Sequence, residues 1–473
     1  ASSLPSSLPP PPLSSSSYAP RASPPRKFAS FPFDYREQLT ATVESLTNLG
    51  VGVCRVDVSD RWARKTSPGG LLPTAPPAAG SPWVVFVPGT LPGETATFSV
   101  FRNHASYSEA DLLSIADPSP DRVPAPCELF EKCGGCQYQH VTLPRQRDIK
   151  RGHVLELFER GAGLPKDFLD EITLRTRGTE HAYHYRSKIT PHYDAPRANQ
   201  TELSIGFQQK GSRRILDVPE CLIATRAINE RLGEARAELN ARLRDGTLRD
   251  PRKKKQRGAT LLLREASGGV VTDNSEYVTE DVGGFRFKFQ AGNFFQNNPH
   301  VTPLMVDYVV GEASRPAADG TKMTHLVDTY CGSGLFCIGG HAKFERAVGI
   351  EVNEKAIAEA SENARLNGVT NARFVCASAE KIFTGGELDG YPVDSTAVVI
   401  DPPRKGASEE FLEQLLAFGP RRLVYMSCGP DSQARDAKIL LDSGKYELRE
   451  LAPFDLFPQT RHIENCAVFE RVT

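Results

Sequence analysis

His325-Leu326-Val327-Asp328-Thr329-Tyr330-Cys331-Gly332-Ser333-Gly334 is the stretch that decides the fold. The apolar run His325–Asp328 reads as a buried strand ending on a carboxylate. Two glycines then let the backbone turn sharply and come close to a ligand before a helix begins. The alternation repeats downstream. Ala347-Val348-Gly349-Ile350-Glu351 is a second strand, followed by a helix over 353–367. Ala372–Cys376, Ala397–Asp401 and Arg422–Ser427 are three more. Apolar strands separated by helices predict an α/β fold, a parallel sheet covered on both faces. Ligands of such sheets sit beyond the strand C-termini, where Asp328, Glu351 and Asp401 fall, and a carboxylate such as Glu351 suits ribose hydroxyls. Cys337 occupies the place of a dinucleotide motif's third glycine. By itself the loop fits either a nucleotide-type ligand or a tight turn with no ligand.

Working outward, the 473 residues have room for two to four domains. Basic and acidic residues nearly balance, 57 against 58, so any nucleic-acid binding requires segregated positive patches. No run of about 18 apolar residues occurs, so no membrane span is expected. Residues 1–37 are Ser- and Pro-rich and read as a disordered tail or a targeting segment, with the prolines opposing a presequence helix. Residues 38–116 hold short strands (Val51–Val56, Trp83–Val87, Glu94–Val100) between Gly and Pro, the pattern of a small β-barrel, with a Pro/Gly/Ala insertion at 68–82. Residues 117–285 form a mixed α+β central domain with a cysteine cluster and a helix near 144–160, and residues 286–473 carry the strand–helix alternation. The run Arg252-Lys253-Lys254-Lys255-Gln256-Arg257 is a solvated loop or a phosphate contact. His184-Tyr185-Arg186-Ser187-Lys188, like Arg213-Arg214, is either a strand with a basic outer face or a platform for stacked RNA bases.

Three later motifs carry chemistry. Asp401-Pro402-Pro403-Arg404-Lys405-Gly406 follows the fourth strand, Ser427-Cys428-Gly429-Pro430 the fifth, and His462-Ile463-Glu464-Asn465-Cys466 lies near the C-terminus. Cys428 is a nucleophile or an inert strand-end thiol. Glu464 is a base or an ordinary solvated carboxylate. Methylating carbon 5 of a uracil needs both groups, because that carbon is a poor nucleophile. A thiolate adding to carbon 6 makes an enolate that accepts the methyl group, and a base then removes the carbon 5 proton and frees the thiolate.

Together with Gln290–Gln296 and Asp328–Gly334, these motifs resemble in kind and order the RNA 5-methyluridine methyltransferase family. The chain is most similar to the fungal-type tRNA (uracil-5-)-methyltransferases, across residues 40–470. The resemblance implies a Rossmann-like S-adenosylmethionine methyltransferase domain and a TRAM-like, RNA-binding barrel. It implies Cys428 as nucleophile and Glu464 as base. Gln296, Tyr330, Glu351 and Asp401 would contact the methyl donor or frame the target base, with Arg404 following Asp-Pro-Pro as in the family. The implied partner is RNA, foremost the T-loop uridine of tRNA, with ribosomal RNA as the alternative. A monomer is expected, with no protein partner and no membrane. Two positions depart from the family: Gly429 replaces an Asn after the nucleophile, and Leu335 stands where bacterial members often have Asn. Methylation of exocyclic amines is disfavoured, since Arg404 replaces the aromatic that would stack the base. A vestigial site in an RNA-folding protein is the remaining alternative from another class.

Cys127, Cys133 and Cys136 crowd ten residues, a density typical of metal-binding thiols in a reducing, intracellular compartment. Cytoplasm, nucleus and mitochondrion stay equally open. Cys221 is the candidate fourth ligand, and the residues alone leave zinc and iron–sulfur both open. The resemblance favours a [4Fe–4S] cluster on these four cysteines. The spacing differs from the Cys-x3-Cys-x2-Cys of radical enzymes, so a structural or RNA-positioning role is expected.

Overall fold

A computed structural model describes residues 28–29, 31–61, 82–197, 199–248, 257–383 and 385–472. The tail through residue 27, most of the 68–82 insertion and the basic run as far as Gln256 lie outside the described residues. The chain divides into two compact units between Pro124 and Ala125.

In the first unit, β1 (Gln38–Leu46), β2 (Val51–Val56), β3 (Trp83–Pro88), β4 (Thr95–Asn103) and β5 (Tyr107–Asp117) close a barrel in the order β1-β2-β3-β5-β4. Alternate residues point inward, so Val85, Val87, Ala96, Phe98 and Ala110 are fully buried. Closure leaves the barrel without an edge strand. The Trp83 indole N–H donates to Ser108 Oγ at 2.9 Å, satisfying a donor that would otherwise be stranded in this core.

The second unit opens with helix α1 (Leu143–Ala162) and the short α2 (Lys166–Ile172). Pro144 starts α1 and Gly163 ends it at φ 72°, a left-handed C-cap. Its buried stripe is half polar: Gln146, Lys150 and His153 lie among Ile149, Val154 and Phe158. Short strands β6 (Lys188–Ile189), β7 (His192–Tyr193), β8 (Gly206–Gln208), β9 (Ile215–Asp217), β10 (Ala259–Thr260), β11 (Leu263–Ala266) and β12 (Gly269–Val271) surround α3 (Arg226–Arg244) in two small sheets. A hairpin follows, β13 (Tyr277–Val282) with β14 (Phe285–Gln290).

The main sheet is built from β15 (His325–Asp328), β16 (Arg346–Glu351), β17 (Ala372–Cys376), β18 (Thr396–Ile400), β19 (Arg422–Ser427), β20 (Tyr446–Phe454) and β21 (Glu464–Arg471), in the order β17-β16-β15-β18-β19-β21-β20. Its helices are α4 (Thr302–Ser314), α5 (Leu335–Gly340), α6 (Glu354–Leu366), α7 (Glu409–Phe418) and α8 (Pro430–Asp442). Successive strand residues feed opposite cores. Leu326, Val399 and Val424 pack with α4 and α5, while Val327, Val398 and Leu423 pack with α1, α7 and α8. Burying each such side chain contributes about 1.5–3 kcal/mol.

The five strands read from the sequence are joined in the sheet by two more. β15 to β19 are parallel, but β21 pairs antiparallel with both β19 and β20. Residues 455–463 return the chain directly as a loop, whereas a parallel neighbour would require a crossover helix. This reversal brings the start of β21 to the edge where the parallel strands end.

Candidate active site

Strand order reverses at β15: the chain first lays β16 and β17 on one side, then β18 and β19 on the other. The crevice at such a switch point is where open α/β sheets bind ligands. The glycine turn after β15 lies there. Gly332 and Gly334 have φ of 50° and 91°, left-handed conformations that a side chain would resist. The turn is pinned on two sides, by Cys331 N–H to Ile350 O at 2.9 Å and Thr329 Oγ1 to Val399 O at 3.0 Å.

Asp328 at the turn's entrance is fully buried, and among the described residues no side chain hydrogen-bonds to either carboxylate oxygen. Burial pushes its carboxyl well above the usual range, and Asp401 and Glu351 push it further; the Tyr330 N–H eases it slightly. Glu351, at the end of β16, accepts the Asn353 N–H at 3.0 Å. Tyr330 packs its ring 5.8 Å from that of Phe411. Asp401, just beyond β18, is pushed up to about 7 by burial. Three carboxylates thus share one recess. Gln296 stands on the loop after β14, and Glu359 of α6 ties that loop to the glycine turn: it accepts from Gln290 N, Asn293 Nδ2 and Ser333 Oγ at 3.0, 3.1 and 3.2 Å. Leu335, the first residue of α5, is partly buried and packs against the core on that face of the sheet.

The thiol and the second carboxylate meet through strand register. Ser427 of β19 pairs with Asn465 of β21, which sets Cys428 and Glu464 side by side one residue further on. Cys428 is partly exposed, and burial, then Glu464 and Asp401, push its thiol up to about 11, while Arg404 opposes the rise by charge and a hydrogen bond. Glu464 is buried, and burial, then Asp401, push it up to about 8 against Arg404 and Lys150. Gly429 explains how Arg404 comes so near: a Cβ there would sit 2.8 Å from the Arg404 carbonyl oxygen and 2.9 Å from Ser432 Oγ. Ser432 Oγ donates to that same carbonyl at 2.8 Å, locking the two loops together. The family's Asn at this position would not fit the present backbone.

Other residues surround Glu464. Lys150 and Asp455 form a fully buried ion pair at 2.6 Å. His462 is pushed down to about 4 by burial, then by Arg404, Arg461, Lys150 and Arg186. Lys150 and Asp455 were not singled out in the sequence, although a Lys within the apolar stripe of α1 and an acid inside Pro453-Phe454-Asp455-Leu456-Phe457 were legible signals. Tyr185 is a correction. It is fully buried, its hydroxyl donates to Pro458 O at 2.9 Å, and it cannot stack an RNA base. Arg186 packs over Phe457 at 5.2 Å.

Cys127, Cys136 and Cys221 pack in one small cluster with Phe130, Tyr185 and Ile223, against Phe457 of the loop before β21. Burial pushes Cys136 up to about 12, and Cys221, Cys133 and Cys127 add to the rise, so the other three thiols lie near Cys136. Among the described residues no three Cys, His, Asp or Glu are arranged to hold a single metal ion.

Residues 220–472 match the family model described as tRNA (Uracil-5-)-methyltransferase. The chain is 36% identical over 457 residues to the tRNA (uracil(54)-C(5))-methyltransferase of Schizosaccharomyces pombe, covering 94% of this chain and 80% of that protein. It is 33% identical over 456 residues to the Saccharomyces cerevisiae protein of the same description, covering 82% and 69%. A solved structure of Pyrococcus abyssi tRNA (uracil-54, C5)-methyltransferase with S-adenosyl-L-homocysteine shares the fold, at a TM-score of 0.63 and 21% identity over 91% of this chain and 99% of that one. With matched residues that include the glycine turn, the thiol and the carboxylate, the chain belongs to the tRNA (uracil-5-)-methyltransferase family.

Proposed function

We propose that this protein methylates carbon 5 of a uridine in tRNA from S-adenosylmethionine, with Cys428 as nucleophile and Glu464 as base. The observation that carries the proposal is the β19–β21 register, which sets a thiol against a carboxylate beside the switch-point crevice. The cofactor fits that crevice. A buried carboxylate short of partners at Asp328, with Asp401 and Glu351 near it, suits a ligand whose sulfonium and amino group are positive. Asp328, Tyr330, Glu351, Asp401 and Gln296 would hold it, and the bound cofactor supplies an electrophilic methyl group.

The chain's own residues do the rest. Arg404 favours the thiolate of Cys428, opposing the burial that holds the thiol up. The thiolate adds to carbon 6, and electron density moves to carbon 5, which takes the methyl group. Ionised Glu464 removes the carbon 5 proton, the ring regains its double bond and the thiolate leaves. A base stacked in a folded loop must first be extruded to reach Cys428. The two fungal relatives' names support position 54 of tRNA as the target. The Rossmann-like reversal at β15 and the closed, TRAM-like barrel support nucleotide and RNA binding respectively.

Radiolabelled methyl transfer to tRNA and to ribosomal RNA transcripts tests this reading. Cys428→Ala should transfer nothing, and Glu464→Gln should accumulate a covalent protein–RNA adduct. A fully active Cys428→Ala protein, or transfer confined to ribosomal RNA, would overturn the corresponding part.

A structural [4Fe–4S] cluster on Cys127, Cys133, Cys136 and Cys221 belongs to the same proposal. Zinc requires four sulfurs about 2.3 Å from one point. Cys127, Cys136 and Cys221 packed in one small core, with Cys133 near enough to raise Cys136, support a cluster that gives each thiolate its own iron. Iron and sulfide analysis of anaerobically purified protein, with Cys136→Ser as control, tests it.

A further inference from the structure

Residues 455–463 deliver Glu464 to the crevice, and α1 grips this loop with two side chains one turn apart. Gln146 Nε2 donates to Gln459 Oε1 at 3.0 Å, and the Gln459 N–H donates back to Gln146 Oε1 at 2.9 Å. Lys150 Nζ donates to Asp455 Oδ1 at 2.6 Å and to the Phe457 carbonyl at 3.1 Å. Both members of the ion pair have side chains 0% exposed. Holding a loop does not require charge, as Gln146 demonstrates. Buried ion pairs are often neutral or unfavourable relative to apolar groups of the same volume. Burial disfavours the Lys150 ammonium, Asp455 opposes that loss, and Arg147, 3.7 Å from Asp455, adds to it, so a lysine kept here calls for a role beyond tethering.

We infer that Lys150 is a positioning residue for the base: Asp455 and the Phe457 carbonyl anchor its ammonium so that it favours the ionised carboxylate of Glu464. The inference rests on the reading of Glu464 as the base. Every charged group near Glu464 bears on it. Asp401, from the end of β18, opposes ionisation; Arg404, on the Asp-Pro-Pro loop, and Lys150, on α1, favour it. Cys428 of the β19 end is itself pushed up to about 11, first by burial, and so is largely a neutral thiol in the free protein. His462, on the loop itself, is held near 4 and stays uncharged at neutral pH. Of the two cations, Arg404 is exposed and hydrogen-bonded to Cys428, whereas Lys150 is sealed in the interior. Arg404 therefore acts on both the thiol and the base from the crevice rim, while Lys150 adds to its action on the base from the interior.

The test is the pH dependence of kcat for methyl transfer to tRNA by the wild type, Lys150→Met/Asp455→Asn and Lys150→Arg. The double variant removes both buried charges together and keeps the volume, so no lone carboxylate is stranded, and Arg147, which also meets Asp455, keeps Glu180 and the Thr179 carbonyl as partners. Loss of the cation makes the Glu464 carboxylate harder to form, so the acidic limb should move up by about one pH unit, with the alkaline plateau nearly unchanged. Lys150→Arg should return the limb towards the wild-type position. A limb that stays in place, or a rate loss equal at every pH, would overturn the inference and leave Lys150 a tether. A wild-type protein that transfers no methyl group would instead overturn the reading of the site on which it rests.

Discussion

Glu464→Gln should stabilise the free protein, increasingly so from acid to alkaline pH. Burial, then Asp401, raise this carboxyl from 4.5 to about 8. In the unfolded chain it ionises near the lower value. Between the two, folding must keep or take up a proton, and each pH unit costs the folded state about 1.36 kcal/mol. The group's stability is fully present below the unfolded value and is lost as pH rises through the folded one. The whole window sets a ceiling of roughly 5 kcal/mol, and relaxation with water entry into the crevice reduces this to about 2–3 kcal/mol. Glutamine has nearly the same shape and no charge to desolvate. The assay is urea unfolding of wild type and variant, without cofactor, from about pH 5 to about pH 9. Far-ultraviolet circular dichroism reports the relevant unit, because α1–α8 all lie in it, while Trp83 fluorescence follows the barrel. The difference in urea midpoint should be small at the acid end, grow through neutrality and level off above about pH 8. A pH-independent difference, or a variant less stable than wild type at alkaline pH, would refute the placement of Glu464 as a buried, proton-holding carboxyl.

Two further outcomes are expected. Asp328→Asn removes the buried carboxylate of the recess, so calorimetry should show S-adenosylmethionine binding about 10- to 100-fold more weakly, while the free protein gains stability at neutral pH because a carboxyl held well above its usual range has gone. Gly429→Ala puts a Cβ 2.8 Å from the Arg404 carbonyl, which should cost about 1–3 kcal/mol in unfolding measurements and slow methyl transfer by shifting Arg404 from the thiol; an unaltered rate would show that the Arg404 loop yields freely.

The residues that sequence reading reached and those it missed differ in a consistent way. His325–Asp328, the glycine turn, Asp401 and Cys428 were legible because each is local: an apolar strand, then a polar group or a tight turn at its C-terminal end. Parallel strands point the same way, so their ends gather at one edge without any knowledge of sheet order. The place of Glu464 was not local. It reaches the crevice only because β21 runs antiparallel to β19, and motif order suggested the partnership with Cys428 without providing the register. Lys150 and Asp455 are separated by hundreds of residues, and packing alone joins them. Gly429 read as a missing side chain, yet it is the close approach that lets Arg404 reach Cys428.

By itself the sequence determined the strand–helix alternation, the glycine turn and the residue types of the thiol and the carboxylates, since these follow from residue type and short-range periodicity. Only the tertiary structure decided which of them touch and how strongly each holds its proton. Burial and neighbouring charge at Glu464, Asp401 and Cys428 come from elements far apart in the chain, and desolvation depends on everything packed around a group rather than on the residues beside it.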